Sequence, residues 1–190
     1  MEPDMENLDA SHLEVRDYDP KWAEIYEEES QKIKALLGGK ITAIEHIGST
    51  SIPGLASKPI IDMAVVVPSW KDAESLIEPL STIGYPSEVS NVDESNAGER
   101  LLFRKGNPTQ FHLSIAYSNR GSFLERQILF RDYLRAHDEE RDEYSQLKKD
   151  LLVKDSTGKG AYIEGKTDFV MRTLKRAGFQ NPWFDLSKYE

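Results

Sequence analysis

The sequence contains no cysteine and no long apolar run, and each absence excludes a class of protein. Without cysteine among its 190 residues, the chain forms no disulfide, no thiolate nucleophile and no cysteine-ligated metal site. No apolar stretch approaches the roughly 18 residues that a membrane-spanning helix needs. The N-terminal stretch MEPDMENLDA lacks the basic flank and apolar run of a signal peptide. These features predict a cytoplasmic protein that does not act in a membrane.

The charge balance is acidic, with a formal net charge of −9. Such a surface repels nucleic acid as a general polyanion, whereas a local basic site can still bind a nucleotide. A chain of 190 residues is long enough to bury a core within one domain. We predict a disordered segment over residues 1–12, a single domain over 13–178 and a C-terminal tail over 179–190. Trp183 and Phe184 of the tail can dock on the body or on another subunit, so the oligomeric state stays open.

Apolar residues recur at helical spacing in some segments and form strand-like runs in others. The predicted helices begin at Asp19-Pro20, Trp70, Ser122, Asp138 and about Tyr162, and they end near Gly38, Gly84, His137, Leu152 and Gly178. The predicted strands are Ile41–Ile47, Ile60–Val67, Leu101–Arg104 and Phe111–Tyr117, with a further candidate over Tyr85–Ser90. The class is therefore α/β or α+β, with a small mixed sheet flanked by helices and a C-terminal helical segment.

The loop within HIGSTSIPGLASKPIID joins two predicted strands and is rich in small polar residues. Gly48 permits a tight turn and a close approach of the backbone to a ligand. Ser49, Thr50 and Ser51 add hydroxyl groups and backbone N–H donors, which suit phosphate oxygens. The loop lacks the GxxxxGK[ST] spacing of a P-loop, and the chain contains neither GxGxxG nor HExxH nor GxSxG. We predict a phosphate site at this turn, of a type that these motifs do not describe.

Asp62 is a lone carboxylate within the apolar run Ile60–Val67. A period of two places it on one strand face with Ala64 and Val66. A buried carboxylate is costly unless it is paired or bound to a metal. Two interpretations stay open: a structural ion pair with Lys58, or a catalytic or metal-binding carboxylate.

Three segments together resemble the GrpB family, also called UPF0157: HIGSTSIPGLASKPIID, FRDYLRAH and AYIEGKTDFV. The resemblance runs from about Val15 to Leu174. It implies the fold of the nucleotidyltransferase superfamily, whose members begin their sites with a glycine–serine turn followed by an acidic strand. Relatives of the family are found fused to dephospho-CoA kinase.

The resemblance implies two metal ions, held by two acids at alternate strand positions and a third acid on a later strand. Asp62 fills the first place, but Ala64 occupies the second. On the later strand, members of the family often resemble a His-x-His pattern. His112 matches the first histidine of that pattern, whereas Ser114 replaces the second. A serine hydroxyl is a poor metal ligand, so these departures argue against a standard two-Mg²⁺ reaction.

His46 precedes Gly48 and has two interpretations. It is either a hydrogen-bonded structural histidine or part of a one-carboxylate, two-histidine site with Asp62 and His112. That site would suit a divalent metal other than Mg²⁺, or proton transfer without metal. Asp62 and His112 are the predicted catalytic residues.

Several cationic residues are predicted to bind phosphate. Arg100 and Arg104 alternate with apolar residues of one strand, and Lys58 lies just before Asp62. Lys166 falls on the apolar stripe of the last helix, where it either extends outward or points into a pocket. Arg131 and Arg135, four residues apart, are expected to form a surface face with local salt bridges.

Three functions remain open from the sequence. The first is an enzyme that transfers a nucleotidyl or related group. The second is a non-catalytic module that binds a nucleotide and has lost the metal-binding acid pair. The third is a structural or assembly protein. The expected ligand is a nucleotide or another small phosphate-bearing molecule, with a divalent metal of unknown identity as the expected cofactor of the enzyme.

Overall fold

The computed structural model describes residues 14–86, 100–116, 123–154, 159–180 and 186–189. The helices are α1 Lys21–Leu37, α2 Trp70–Glu74, α3 Ile77–Ser81, α4 Phe123–Ala136, α5 Asp138–Lys154 and α6 Lys159–Arg176. The strands are β1 Ala43–Ile47, β2 Ile61–Val66, β3 Arg100–Lys105 and β4 Phe111–Ala116. The predicted disordered segment 1–12 and residues 87–90 of the strand candidate Tyr85–Ser90 lie outside the described residues. The predicted division into domains stays a prediction.

The four strands form one mixed sheet in the order β1-β2-β4-β3. The central pair β2 and β4 is parallel, and both outer pairs are antiparallel. β3 and β4, which correspond to the predicted strands Leu101–Arg104 and Phe111–Tyr117, form an antiparallel hairpin. The predicted class and the predicted small mixed sheet flanked by helices are therefore confirmed, with Asp62 on a central strand.

The two faces of the sheet differ in composition, because side chains alternate along each strand. One face packs against α1, α2 and α3 and forms the main core, with Met63, Val65 and Phe103 fully buried. The opposite face carries Asp62 and Ala64 and turns toward the C-terminal helices. The loop between β1 and β2 contributes Ile52 and Leu55 to a separate apolar cluster with α4, α5 and α6. That loop therefore lies between the sheet and the C-terminal helices.

The predicted helix over Trp70–Gly84 is two short helices instead. Pro79 has no N–H, so a continuous helix would lose the hydrogen bond to the Ser75 carbonyl. Helix α2 ends with Ser75 as its C-cap residue. Pro79 then lies in the first turn of α3, where no intrahelical N–H donor is required. Tyr85 is buried but belongs to no strand, so the described part of that strand candidate is wrong.

The remaining boundaries follow their local signals. The Lys21 N–H donates to Asp19 Oδ1 at 3.0 Å, which caps the start of α1. Gly38 ends α1 with a φ of 53°, and Gly178 follows α6 with a φ of 79°. The predicted cap Ser122 lies outside the described residues. Within the described ranges, no helix combines the length and apolarity needed to cross a bilayer. The cytoplasmic location stays a prediction.

Candidate functional site

The turn after β1 packs directly on Asp62. Gly48 has a φ of 70° and precedes a 3₁₀ turn over Ser49–Ser51. A Cβ added to Gly48 would lie 2.8 Å from the Asp62 Cβ, closer than real Cβ contacts allow. Glycine is therefore required here both for its positive φ and for the close approach of the turn to β2.

Two hydroxyl groups of the turn hold its own shape. The Ser51 hydroxyl donates to the Gly48 carbonyl at 2.5 Å, and the Thr50 hydroxyl donates to the Ile60 carbonyl at 3.2 Å. Both side chains are buried, and neither lines the cavity beside the turn. Of the three hydroxyl residues predicted to bind phosphate, the structure places only the Ser49 side chain at that cavity. Thr50 and Ser51 instead support the turn.

Asp62 and His112 form a pair across β2 and β4, which align them in register. His112 Nδ1 lies 3.0 Å from Asp62 Oδ1. A carboxylate only accepts, so Nδ1 donates and the Nε2 atom of a neutral ring keeps its lone pair. The two side chains are 29% and 34% exposed, so Asp62 is partly solvated and does not carry the full cost of burial.

A cavity of about 230 Å³ opens beside this pair. Its lining combines the turn, the strand ends and helices α5 and α6: Ser49, Ser57, Lys58, Ile60, Asp62, His112, Lys148, Tyr162 and Lys166. The structure thus brings together five of the residues predicted from the sequence, namely Ser49, Lys58, Asp62, His112 and Lys166. Lys148 and Tyr162 were not predicted as part of the site.

Three lysine amines converge on the cavity. The ammonium groups of Lys58 and Lys166 lie 4.6 Å and 4.2 Å from the centre of the Tyr162 ring. Lys148 is only 2% exposed, and its Nζ lies 4.6 Å from the centre of the Tyr144 ring. In the part of the chain that the structure describes, Lys148 Nζ has no hydrogen-bond partner. An unpaired buried amine is costly, which distinguishes Lys148 from an ordinary surface lysine.

The amines perturb one another. Burial, reinforced by the charge of Lys166, lowers the pKa of Lys148 to about 7. Burial and the charge of Lys58 lower the pKa of Lys166 to about 8, although Asp62 acts in the opposite direction. Burial also raises the pKa of Tyr162 to about 12. The cavity therefore favours an anion, because an anion would stabilise the protonated amines.

His46 does not join Asp62 and His112, so the predicted three-residue metal site is wrong. The register pairs His46 with Met63, which places it on the opposite face of the sheet from Asp62. Its ring stacks on Tyr26 at 4.4 Å, and its Nε2 lies 3.1 Å from the Thr50 hydroxyl. Burial lowers its pKa to about 4, so the imidazole is neutral at pH 7. His46 has the contacts of a structural histidine.

The donor set around Asp62 does not fit a two-metal centre. In the next row of the sheet Ala64 lies between Ser114 and Glu45, and the one carboxylate of that row, Glu45, is paired with Arg131 Nη1 at 2.9 Å. Among the described residues, no group of three or more histidine and acidic side chains is placed to hold a metal ion. Among the described residues that line the cavity, Asp62 and His112 alone offer a carboxylate and an imidazole to a single cation.

Arg100 and Arg104 lie on the same sheet face as His112 but outside the cavity lining. The Arg100 guanidinium donates to the Ser114 hydroxyl at 3.2 Å and lies 4.3 Å from the centre of the Phe123 ring. Arg104 is directly opposite His112 in register. The structure therefore places both arginines at the margin of the site, not in the cavity.

Two arginines of α4 reach the turn instead of forming only a surface face. Arg131 Nη1 donates to the His46 carbonyl at 2.9 Å, and its side chain is 11% exposed. Arg135 donates through both Nε and Nη2 to the Ser51 carbonyl, at 3.1 Å and 2.6 Å. Asp132 adds the expected local ion pairs. The expectation therefore holds for the local ion pairs and for Arg135, which is 41% exposed, but it omitted the contacts of both arginines with the turn.

Known proteins resemble the chain over most of its length. The family model described as GrpB protein matches residues 12–176. UPF0157 protein YqkA of Bacillus subtilis is 39% identical over 165 residues, which cover 87% of this chain and 47% of YqkA. The chain thus spans about half of that relative. The crystal structure of conserved protein GrpB from Enterococcus faecalis matches with a TM-score of 0.77 and 33% identity, covering 93% of this chain and 99% of that one.

More distant proteins share the fold or part of the sequence. Cid1, solved in complex with its short product ApU, matches with a TM-score of 0.53 and 13% identity, over 84% of this chain and 50% of Cid1. At that identity the likeness shows the fold alone, and it confirms the predicted nucleotidyltransferase-like fold. A dephospho-CoA kinase of Mycolicibacterium paratuberculosis is 27% identical over 183 residues, which cover 84% of this chain and 44% of the kinase.

Proposed function

This chain belongs to the GrpB family, and we propose that it binds the phosphate groups of a nucleotide in the cavity between Ser49 and helices α5 and α6. The observation that carries the proposal is Lys148, a buried amine that has no hydrogen-bond partner among the described residues and lines that cavity. A phosphate oxygen would supply the missing acceptor.

The charge of the cavity supports a polyanionic ligand. Among the described residues, the amines of Lys58, Lys148 and Lys166 line it together with the carboxylate of Asp62. The chain as a whole has a formal net charge of −9, so the excess of positive charge in the cavity is opposite in sign to the net charge of the protein. Clefts lined by one sign of charge concentrate ligands of the opposite sign.

The size of the cavity supports partial enclosure of the ligand. Its 230 Å³ is below the roughly 300–1,000 Å³ of pockets that enclose a drug-sized molecule. We infer that the phosphate groups enter the cavity while the sugar and base lie toward its opening. Ser49 would donate its hydroxyl to a phosphate oxygen, and the lysines would supply charge-assisted hydrogen bonds.

The proposed binding uses amines and a hydroxyl and requires no metal. Asp62 is an anion, so it does not bind phosphate directly. Its pairing with His112 Nδ1 orients the imidazole beside the ligand. The two-metal centre implied by the superfamily resemblance lacks its second acid here, because Ala64 occupies that position.

The Asp62–His112 pair gives a second candidate function, the transfer of a nucleotidyl group. In this reaction His112 Nε2 would take the proton of an acceptor hydroxyl, whose oxygen attacks the α-phosphorus as pyrophosphate leaves. General-base catalysis by a histidine of this kind contributes on the order of 10²–10⁴ in rate. Release of pyrophosphate from the bound nucleotide would separate this function from binding alone.

The test is a calorimetric titration of the wild-type protein with each common nucleoside triphosphate, in buffer containing EDTA. Lys148→Met should weaken binding by about 10- to 100-fold, the range expected for a lost hydrogen bond to a charged group. Lys149→Met is the matched control, because Lys149 is the next residue of α5, is 43% exposed and pairs with Asp17. Its affinity should equal that of the wild type.

Two results would contradict the proposed function. One is a wild-type protein that binds no nucleotide either in EDTA or in a second titration with Mg²⁺, which would favour a structural or assembly role. The other is binding that Lys148→Met leaves unchanged, which would place the ligand elsewhere.

A further inference from the structure

We propose that Arg135 of α4 is a positioning residue for the phosphate site, which it serves by holding the turn Gly48–Ser51 in the conformation that presents Ser49. This inference rests on the proposed function, because it gives Arg135 a part in the binding of phosphate. Arg135 itself does not line the cavity. Its influence passes through the backbone of the turn.

One edge of the Arg135 guanidinium donates two hydrogen bonds to a single oxygen atom. Arg135 Nε and Nη2 both donate to the Ser51 carbonyl, at 3.1 Å and 2.6 Å. A planar fork of this kind fixes the direction of the carbonyl more strictly than a single donor, and a lysine cannot reproduce it. Because the oxygen accepts from α4, it does not face the cavity, where it would repel phosphate oxygens.

Arg131 secures the other end of the same turn. It lies four residues before Arg135 on α4, and its Nη1 donates to the His46 carbonyl and to Glu45 Oε2, both at 2.9 Å. The His46 and Ser51 carbonyls flank the turn on its N-terminal and C-terminal sides. Helix α4 therefore fixes the point where the turn begins and the point where it ends.

The turn between these two points is also held by a contact with β2 and by a hydrogen bond of its own. Gly48 packs on Asp62, and the Ser51 hydroxyl closes the turn onto the Gly48 carbonyl at 2.5 Å. Ser49 is then the member of the turn that lines the cavity. A loop ordered before the ligand arrives loses less conformational entropy on binding, which strengthens the affinity.

The test compares Arg135→Lys with Arg135→Gln, using inorganic pyrophosphate as the probe in calorimetric titrations at low and high salt. Lysine keeps the positive charge but loses the fork, whereas glutamine loses both. We expect both variants to weaken pyrophosphate binding about ten-fold, to a similar extent and at both salt concentrations, because the geometry of the turn is what they share. Arg176→Gln is the control, since Arg176 is 50% exposed and its ion pair with Glu140 is long, at 3.7 Å.

Hydrogen exchange without ligand gives a readout that ligand charge cannot affect. Residues 48–52 should exchange faster in Arg135→Lys than in the wild type, while the strands β2 and β4 should keep their protection. If Arg135→Gln fails to fold, Arg135→Lys carries the test alone.

The outcomes separate this inference from the proposed function. If the wild type binds pyrophosphate and Arg135→Lys binds equally well with unchanged exchange at residues 48–52, the positioning role is refuted and the proposed function stands. In a second case, Arg135→Lys binds pyrophosphate like the wild type, Arg135→Gln binds it more weakly, and high salt removes that difference. Arg135 would then act by its charge, and the inference would again be refuted. If the wild type binds neither pyrophosphate nor nucleotide, the proposed function fails and this inference fails with it.

Discussion

Replacement of Lys148 by methionine should stabilise the protein without ligand while it weakens phosphate binding. The folded state holds an amine with a pKa of about 7, against the ordinary value of 10.5. The folded protein therefore binds this proton more weakly than the unfolded chain does. Below pH 7 both states are protonated and the cost of the buried charge is complete, and as the pH rises from 7 toward 10.5 the cost diminishes.

The size of the effect follows from the shift in pKa. Each unit corresponds to about 1.4 kcal/mol, so the cost is on the order of 5 kcal/mol at pH 6 and about 2 kcal/mol at pH 9. Methionine has a similar length and no charge, so Lys148→Met should recover much of this free energy of unfolding. The gain over the wild type should be larger at pH 6 than at pH 9.

Urea denaturation of the wild type, Lys148→Met and Lys149→Met at pH 6 and pH 9 measures this difference. Lys149→Met should match the wild type within about 0.5 kcal/mol, as for a surface substitution. The interpretation would be refuted if Lys148→Met were less stable than the wild type at pH 6, or if its advantage did not decline at pH 9. Either result would mean that the Lys148 amine is satisfied in the folded protein without a ligand.

Further predictions concern the turn, Asp62 and the two perturbed lysines. Ser49→Ala should weaken phosphate binding by about 1–3 kcal/mol in titrations with and without divalent ion, because the hydroxyl would donate directly to the ligand; an unchanged affinity would remove Ser49 from the site. Asp62→Ala should abolish any effect of divalent ions on affinity and should not weaken metal-free binding, since the carboxylate repels phosphate; a full metal response in this variant would contradict its assignment. Gly48→Ala should lower the free energy of unfolding by more than about 1 kcal/mol in urea, because its φ of 70° and its contact with Asp62 leave no space for a Cβ. Affinity for a triphosphate should fall between pH 7 and pH 9 as Lys148 and Lys166 lose their protons, and the fall should be smaller in Lys148→Met.

The parts of the site that sequence patterns predict are those encoded locally. Alternation along Ile60–Val67 places Asp62 opposite Met63 and Val65, and the sheet has that arrangement. The apolar stripe of the last helix includes Lys166, and the structure places its amine at the cavity. Lys148 carries the same signal, because it lies one helical turn after Tyr144 and next to Leu147 on the apolar stripe of α5.

The parts that were missed depend on contacts between distant segments. Alternation along β1 places His46 on the same strand face as Ile44. Only the register with β2 decides which face of the sheet that is, and the register places Ile47, not His46, beside Asp62. The contact between Arg135 and the Ser51 carbonyl spans 84 positions. A helix pattern that places Arg135 beside Arg131 contains no information on the backbone that α4 meets.

The most direct test of the account is a crystal structure of the protein grown with inorganic pyrophosphate. We expect a phosphate group in the cavity, with an oxygen about 2.7–3.2 Å from Lys148 Nζ and a second contact to the Ser49 hydroxyl. A structure in which pyrophosphate occupies another surface, while Lys148 Nζ keeps no anionic partner, would contradict the account.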